Sequence, residues 1–165
     1  MASWLPADFK HPDRLDLSTG HHLRPIAESD LDLDYPAVMG SRERLWETYG
    51  EAWGWPPATM TVEQDWAELA WHAEEMATGR SFNYAIFDHD ERELLGCVYI
   101  DPPAAAADTA DPAADGADAA AAEAAVVSWW VVDHEVGGHL EAALNDAVPR
   151  WLSEDWRLPN VRYGP

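Results

Sequence analysis

The sequence is poor in cysteine, in basic residues and in long apolar runs. Cys97 is the only cysteine, which excludes an internal disulfide and paired-cysteine metal motifs and favours a reducing compartment. Lys and Arg number 10 against 31 Asp and Glu, so the net charge is −21, and this charge repels nucleic acid and anionic lipid. No segment approaches the roughly 18 apolar residues of a membrane helix, and residues 1–16 lack a signal-peptide pattern. We therefore expect a cytoplasmic protein without nucleic-acid or membrane partners.

The chain does carry enough apolar side chains for one core. Its 165 residues are 47% hydrophobic and include 10 Trp, which matches a single domain of ordinary size. We expect one domain over residues 1–165, with residues 1–20 as an irregular N-terminal arm and residues 102–123 as a flexible loop. That loop segment holds twelve Ala, four Asp and three Pro, a composition that cannot form a packed core.

Apolar periodicity and breaker residues predict strands that alternate with helices. The clearest helix starts at Thr61, because Thr61 and Gln64 form a capping box and Gly79 follows the helix as a stop signal. Pro149 predicts a kink or an early end of the last helix. The order of elements predicts an α+β fold with helices on both faces of a mixed sheet. The predicted elements are a strand at 22–26, helices at 29–40, 42–49 and 61–78, a hairpin at 82–87 and 94–100, a central strand at 125–132, a helix from 138 and a strand at 160–163.

The segment VDHEVGGHLEAAL, residues 132–144, joins the central strand to the last helix and has three interpretations. A zinc site would use His134 and His139, but a spacing of five residues separates them by about 140° on a helix. Two solvent-facing imidazoles are the competing explanation. In the second interpretation, free N–H groups at a helix start near Gly138 bind an anion. In the third, Gly137 and Gly138 only reverse the chain, and the sequence leaves these last two open.

From about Leu23 onward the chain resembles the GNAT acetyltransferase family. In that family the fourth strand leads into a loop with the pattern Arg/Gln-x-x-Gly-x-Gly/Ala, whose amides hold the pyrophosphate of acetyl-CoA. The resemblance implies a GNAT-like, mostly antiparallel sheet and acetyl-CoA as cofactor. It is carried by LRPI with Ser29-Asp30 as first strand and helix, YAIF and LGCVYI as second and third strands, and WVVDHE as fourth strand and acidic turn.

The resemblance also implies which main-chain groups bind the cofactor. N–H groups near Val131 and Val132 would polarise the thioester carbonyl. The pyrophosphate would be held by the N–H groups of Gly137, Gly138, His139 and Leu140.

The chain departs from the family pattern in two places. The loop Val136–His139 contains no Arg or Gln and is at least a residue short, and Glu135 and Glu141 flank it. Both carboxylates compete with a phosphate for the positive end of the helix dipole. The family also continues beyond the fifth strand with a helix that carries a catalytic Tyr, whereas this chain ends at Pro165, so we expect a C-terminally shortened member.

The sequence alone does not identify the general acid or the general base. Tyr163 lies in a strand and not in the following helix, so the acid role does not transfer to it. His72 and Glu47 are candidate bases. The run Asp30-x-Asp32-x-Asp34 resembles the opening of a calcium loop but lacks its Gly, so we expect a solvated helix face and no metal.

Two functions remain open. The first is an acyl-CoA-dependent N-acetyltransferase that acts on a small, cationic amine, because an acidic cleft attracts a cation. The second is a catalytically inactive GNAT-like ligand-binding or dimerisation protein with a degenerate coenzyme A loop, for which a homodimer is the expected partner. In either case Trp53, Trp55 and Trp129 are the predicted substrate-binding or contact residues.

Overall fold

The computed structural model of the chain describes residues 4–103 and 124–165. Two single turns of 3₁₀ helix, Glu28–Asp30 and Asp133–Glu135, accompany the main elements. These are β1 (Leu15–Asp16), β2 (His22–Pro25), α1 (Leu31–Gly40), α2 (Arg42–Trp53), α3 (Val62–Thr78), β3 (Phe82–Phe87), β4 (Leu94–Asp101), β5 (Ala125–Val131), α4 (His139–Glu154) and β6 (Val161–Tyr163).

All six strands form one sheet in sequence order, β1 to β6. Every neighbouring pair is antiparallel except β5 and β6, which are parallel. The register of β5 with β6 covers only three residues of β5, from Ala125 to Val127. The prediction of an α+β fold with a mixed, mostly antiparallel sheet is confirmed.

The two faces of the sheet carry different layers. Helices α1 and α3 pack on one face against β3 and β4. On the other face Trp151 of α4 packs edge-on against Tyr84 of β3, with ring centroids 4.9 Å apart. Helices therefore cover both faces of the sheet. None of the helices in the described ranges is long and apolar enough to cross a membrane.

The N-terminal arm is part of this packing. Residues 1–20, predicted to be irregular, contain β1 and bury Leu5 and Leu17 at 8% and 6% exposure. Phe9 contacts Trp156, with ring centroids 5.2 Å apart, on the face that carries α4. Most of the predicted flexible loop, residues 104–123, lies outside the described residues.

Helix α3 confirms the capping prediction. The hydroxyl of Thr61 accepts from the Gln64 N–H at 3.2 Å, and the Gln64 side chain accepts from the Thr61 N–H at 2.9 Å. The helix stops at Gly79, whose φ of 68° is left-handed and favours glycine.

Three helix boundaries differ from the predictions. Ser29 does not cap α1; instead the Asp30 side chain accepts from the Ala27 N–H at 2.8 Å and a 3₁₀ turn precedes the helix. Helix α2 continues past Tyr49 to Trp53 because its stop signal is Gly54, with φ 62°. Helix α4 runs through Pro149 to Glu154. A proline inside a helix costs about 3 kcal/mol, and the buried side chains on both sides of it offset this cost: Leu144, Val148, Trp151 and Leu152.

Gly96 of β4 lies where β5 leaves no room for a side chain. A Cβ atom at this position would lie 1.9 Å from the carbonyl oxygen of Trp130. We expect Gly96→Ala to lower the free energy of unfolding by about 2 kcal/mol or more, because the backbones must separate. Urea denaturation measures this loss. At the control position, Gly40, a Cβ would meet no atom within 4 Å, so Gly40→Ala should be neutral or stabilising. Equal losses in the two variants would contradict the close-approach argument.

An ion-pair network joins the β3–β4 turn to β2. Arg24 donates to Asp30 at 2.8 Å and to Glu91 at 2.9 Å. His22 Nε2 lies 2.7 Å from Glu91 Oε1. Hydrogen bonds from Arg24 and then from His22 lower the pKa of Glu91 from 4.5 to about 2. Because the folded pKa lies below the unfolded one, the network stabilises the fold above about pH 4.5 and loses this effect as the pH falls towards 2.

We expect Glu91→Gln to destabilise the fold at pH 7 by about 1 kcal/mol, a modest figure because Glu91 is 35% exposed and solvent screens its pairs. Thermal denaturation followed by circular dichroism at pH 7 and pH 3 measures the effect. The difference in Tm between variant and parent should shrink at the lower pH. Glu93→Gln, an exposed position in the same turn, is the matched control. A difference that is as large at pH 3 as at pH 7 would show that the charge of Glu91 is not responsible.

Candidate functional site

Strand β5 has an open edge where it leaves β6. Pairing with β6 ends at Val127, and the Val132 N–H donates to the Leu95 carbonyl of β4 at 2.9 Å. Because successive residues of a strand direct their N–H groups to opposite edges, Trp129 and Val131 direct theirs away from β4. Of the two residues predicted to polarise a thioester, Val131 has its N–H on the open edge, whereas the Val132 N–H is engaged in the sheet.

Arg44 of α2 lies across this edge. Its Nη2 donates to the carbonyl of Val131 and its Nε donates to Asp133 Oδ1 at 2.7 Å. Beside it, the Ser41 hydroxyl accepts from the Asp133 N–H at 3.0 Å. The loop after β5 contains no basic residue except histidine, and α2 brings an arginine to the start of that loop.

The two loop glycines already have hydrogen-bond partners. The Gly137 N–H donates to Glu141 Oε2 at 2.5 Å, and the Gly138 N–H donates to the Glu135 carbonyl at 3.0 Å. Gly137 has a left-handed φ of 73°, the conformation for which glycine is favoured. Two of the four amides predicted to hold a pyrophosphate are therefore bonded within the loop.

The first turn of α4 presents further amides. The first backbone bond of this turn runs from the Ala142 N–H to the Gly138 carbonyl at 3.2 Å. The N–H groups of His139, Leu140 and Glu141 thus have no acceptor one turn earlier. Together with the helix dipole they favour a negative group in front of α4. The carboxylate of Glu141 itself takes such a position at Gly137.

The same segment contains the two histidines of the zinc interpretation. His134 is 67% exposed and its Nε2 lies 3.9 Å from Glu135 Oε1. His139 is the first residue of α4. Over residues 4–103 and 124–165, no group of three His, Cys, Asp or Glu is arranged to hold a metal ion.

Five aromatic side chains form a band on the sheet face that carries α1 and α3. Tyr99 is at the centre, with ring centroids 5.9 Å from Tyr49, 5.4 Å from Trp53 and 6.4 Å from Trp55. The Tyr99 hydroxyl accepts from Trp130 Nε1 at 2.9 Å, and burial raises the pKa of Tyr99. Trp53 remains 42% exposed. We refer to these five residues as the aromatic band.

The predicted substrate-binding tryptophans are divided between the two faces. Trp53 and Trp55 belong to the aromatic band. Trp129 points to the opposite face, where its Nε1 donates to Asn145 of α4 at 3.1 Å and its ring lies 5.7 Å from Tyr163. Its neighbour Trp130 points to the other face of the sheet and reaches the band through Tyr99.

A small cavity adjoins the aromatic band between α1, α3 and the sheet. Its volume is about 10 Å³, which is room for one water-sized group. Trp55 and Tyr99 belong both to its wall and to the aromatic band. We refer to its polar and ionisable lining as the acid pocket: Asp34, Asp65, Glu68, His72 and Asn83.

Burial dominates the titration of the acid pocket. Asp34 and Asp65 are 4% and 1% exposed and line the same cavity. Burial raises the pKa of both, and repulsion by Asp65 raises the pKa of Asp34 further. Burial also raises the pKa of Glu68, against a hydrogen bond of 2.9 Å from Trp55 Nε1.

Two buried polar atoms of the acid pocket have no hydrogen-bond partner among the described residues, Asp65 Oδ2 and Asn83 Nδ2. Unpartnered buried polar atoms are rare and require an explanation. His72, whose Nδ1 lies 3.2 Å from Glu75 Oε2, is the basic side chain of the pocket. Of the described residues that line the cavity, none is lysine or arginine.

The acid pocket differs from what the spacing of its aspartates predicts. Asp30, Asp32 and Asp34 were expected on a solvated helix face, but Asp30 and Asp34 are 5% and 4% exposed, and only Asp32 faces solvent. The usable signal was helical spacing, because Asp34 precedes the buried Val38 by one turn. A carboxylate on the apolar face of a helix indicates a buried site.

Asp65 shows the same signal, one turn before the buried Leu69. The two candidate bases predicted from the sequence lie in different environments. His72 lines the cavity, whereas Glu47 is exposed on α2.

Comparison with known proteins gives matches at the level of structure. No family model and no curated protein matches the sequence. RimL, a ribosomal alpha-N-protein acetyltransferase in complex with coenzyme A, matches with a TM-score of 0.64 and 16% identity, over 91% of this chain and 72% of RimL. MccE, a microcin self-immunity acetyltransferase in complex with acetyl-CoA and AMP, matches with a TM-score of 0.62 and 10% identity, over 87% of this chain and 68% of MccE.

A third structure is a ribosomal-protein alanine acetyltransferase from Vibrio fischeri. It matches with a TM-score of 0.57 and 19% identity, over 91% of this chain and 69% of its own. These structural neighbours are GNAT acetyltransferases, and the likeness extends over nearly the whole chain. The mixed, mostly antiparallel sheet with its flanking helices thus has the GNAT acetyltransferase fold.

Proposed function

We propose that the chain is an acyl-CoA-dependent N-acetyltransferase that acts on a small cationic amine. The observation that carries the proposal is a continuous segment in which the open edge of β5, a short glycine loop and the start of α4 follow one another. This segment offers unpaired main-chain N–H groups for a thioester carbonyl and for a pyrophosphate. RimL and MccE, which share the fold, are complexes with coenzyme A and acetyl-CoA.

The residues present fit acetyl-CoA, which supplies the acetyl group as a thioester when bound. The Val131 N–H on the open edge of β5 would polarise the thioester carbonyl. The first-turn N–H groups of His139 and Leu140 would hold the pyrophosphate, joined by Gly137 and Gly138 when their internal partners move aside. Arg44, 2.7 Å from Asp133, would add the positive charge that the loop lacks.

The acceptor would approach from the face that carries the aromatic band. Trp53 and Trp55 are the predicted substrate contacts on that face, and the acid pocket lies beside them. Carboxylates next to aromatic rings attract an ammonium group both by charge and by cation–π interaction. A cationic amine therefore suits this cleft better than a neutral or anionic acceptor.

A second candidate function is a catalytically inactive GNAT-like protein that binds a ligand or dimerises. One observation favours it, namely the engagement of Gly137 and Gly138 by Glu141 and Glu135. A loop that satisfies its own amides has less to offer a phosphate. In this case the exposed part of the aromatic band, chiefly Trp53, would be the contact surface.

Isothermal titration calorimetry with acetyl-CoA separates the two functions. We expect micromolar affinity that falls about ten-fold or more in Gly138→Phe, because a Cβ at Gly138 already lies 3.1 Å from the Glu135 carbonyl and a ring would fill the space before α4. Gly40→Phe, at an exposed position with no atom within 4 Å of its Cβ, is the control. No heat at millimolar acetyl-CoA would remove the transferase proposal.

The carboxylate of Glu141 should oppose cofactor binding. Glu141→Gln keeps an acceptor for the Gly137 N–H but removes the charge at the start of α4. We expect the Kd for coenzyme A to fall about two- to five-fold, the size of a helix-end charge effect. Glu154→Gln makes the same charge change at the other end of α4 and should leave the Kd unchanged. Weaker binding in Glu141→Gln than in Glu154→Gln would contradict this account.

A further inference from the structure

We propose that the outward side of α3 is a docking surface for a basic amphipathic helix of another protein. The inference does not depend on the proposed function, because this surface shares no residue with the segment from β5 to α4, with the aromatic band or with the acid pocket. We refer to the following residues as the outer face of α3: Glu63, Trp66, Ala67, Ala70, Trp71 and Glu74.

Helix α3 exposes its largest apolar side chains and buries a carboxylate. A helix on the surface of a protein normally buries its apolar side chains and exposes its charged ones. Here Trp66 and Trp71 are 47% and 49% exposed, whereas Asp65 is 1% exposed. Large apolar side chains that cluster in an exposed position mark an interaction surface, and tryptophan is enriched in such surfaces.

The outer face of α3 has the form of a groove. At about 100° per residue, its two glutamates and two alanines lie in one row along the helix. Trp66 and Trp71 lie about 70° to either side of that row. The alanines therefore form the floor of the groove and the indoles form its walls, an arrangement that accepts the ridge of a second helix.

The two carboxylates of the outer face lack counter-charges. Neither Glu63 nor Glu74 has an ion-pair partner among residues 4–103 and 124–165. Glu63 lies in the first turn of α3, where the helix dipole favours a carboxylate. Glu74 lies near the other end, where the dipole opposes one, so helix stability does not account for it. With a net charge of −21, the chain attracts a basic partner to this face and repels nucleic acid.

The indoles of the outer face suit cationic side chains. The guanidinium of Arg80 lies 5.7 Å from the ring centroid of Trp71, which is a cation–π contact. In the part of the chain that the structure describes, the indole of Trp66 has no ring, cation or hydrogen-bond partner. Its face is therefore available to an arginine or lysine of the partner.

The separation of the carboxylates sets the spacing of the basic residues in the partner. Glu63 and Glu74 are eleven residues apart, which is about 16 Å along a helix. Eleven residues are close to three full turns, so a partner helix with two basic residues at this spacing presents both on one side. Aliphatic side chains between them would fill the groove, as in other complexes of a helix with a groove.

A second copy of this chain does not suit the outer face. The face reads almost the same in both directions, because Glu63 and Glu74 end it and Trp66 and Trp71 lie inside them. Two such faces packed in register, parallel or antiparallel, bring glutamate against glutamate at both ends. Like charges opposed across an interface disfavour the pairing, and a basic helix meets no such repulsion.

Isothermal titration calorimetry with synthetic helices tests the docking surface. The probe is a capped peptide of about 18 residues, long enough to be helical, in which two arginines eleven residues apart share one side with leucines. A reference peptide of the same composition has its arginines on opposite sides. We expect the Kd of the probe to be at least about ten-fold lower. Equal Kd values would show attraction by net charge alone and would overturn the inference.

Substitution of the indoles locates the binding. Trp66→Ala should raise the Kd of the probe about ten-fold, the effect of losing an interface anchor. Trp71→Ala is a second variant with the same expectation, and thermal denaturation verifies that each is folded. Trp46→Ala, where the indole is 40% exposed on α2, is the matched control and should leave the Kd unchanged. Unchanged binding in both α3 variants would contradict the assignment.

Reversal of one charge tests the carboxylates. Glu74→Lys should raise the Kd of the probe about five-fold, the upper range for an exposed ion pair. A peptide with glutamate in place of one arginine should recover this affinity in the variant. Glu51→Lys makes the same change at an exposed position of α2 and should leave the Kd as in the parent. Equal losses in the two variants would again show that only net charge acts.

Light scattering identifies the alternative occupant. We expect the same mass for the parent and for Trp66→Ala. A dimer of the parent that dissociates in Trp66→Ala would assign the outer face to a second copy and would overturn the proposal of a basic partner.

Discussion

The early parting of β5 from β6 is the constraint on which the site depends. Three residues of β5 pair with β6, and from Ser128 to Val131 the strand is paired with β4 alone. A fully paired β5 would use its N–H groups for the sheet, because buried main-chain donors must be satisfied. The open edge and the first turn of α4 instead leave donors for a ligand. The chain achieves this with a short last strand and not with special side chains.

The fold was largely predictable from the sequence because its signals are local. The capping box at Thr61 predicts the start of α3, and the apolar run of residues 125–132 predicts β5. The order of helices and strands then predicts an α+β fold. The helix boundaries that differ from the predictions depend on contacts between residues far apart in the sequence. The cost of a proline inside a helix can be read from the sequence and predicts an end or a kink at Pro149. Helix α4 does not end there, because burial of the flanking side chains outweighs that cost. Ser29 does not cap α1, because a 3₁₀ turn precedes the helix and Arg24 holds the Asp30 side chain beside the Ala27 N–H.

The candidate site was predictable only where it is continuous in sequence. The loop after β5 could be found, since its glycines and the following helix are neighbours along the chain. Arg44 and the acid pocket could not, because α1, α2 and α3 contribute their residues through packing. The same limit explains why Glu141 was seen as a competing charge but its hydrogen bond to Gly137 was not. Distances between elements, and not residue types, determine these parts of the site.

The contact between Arg44 and Val131 has a further consequence for association. A strand with an unpaired edge is a template onto which another chain can add by main-chain pairing, and natural proteins protect such edges with charged side chains. Here the guanidinium of Arg44 donates one hydrogen bond to the Val131 carbonyl and another to the side chain of Asp133. The residues that border the ligand cleft thus also guard the molecule against strand addition and aggregation. One arginine thus blocks the Val131 carbonyl, which an added strand would need, and leaves the N–H groups of the same edge open to a ligand.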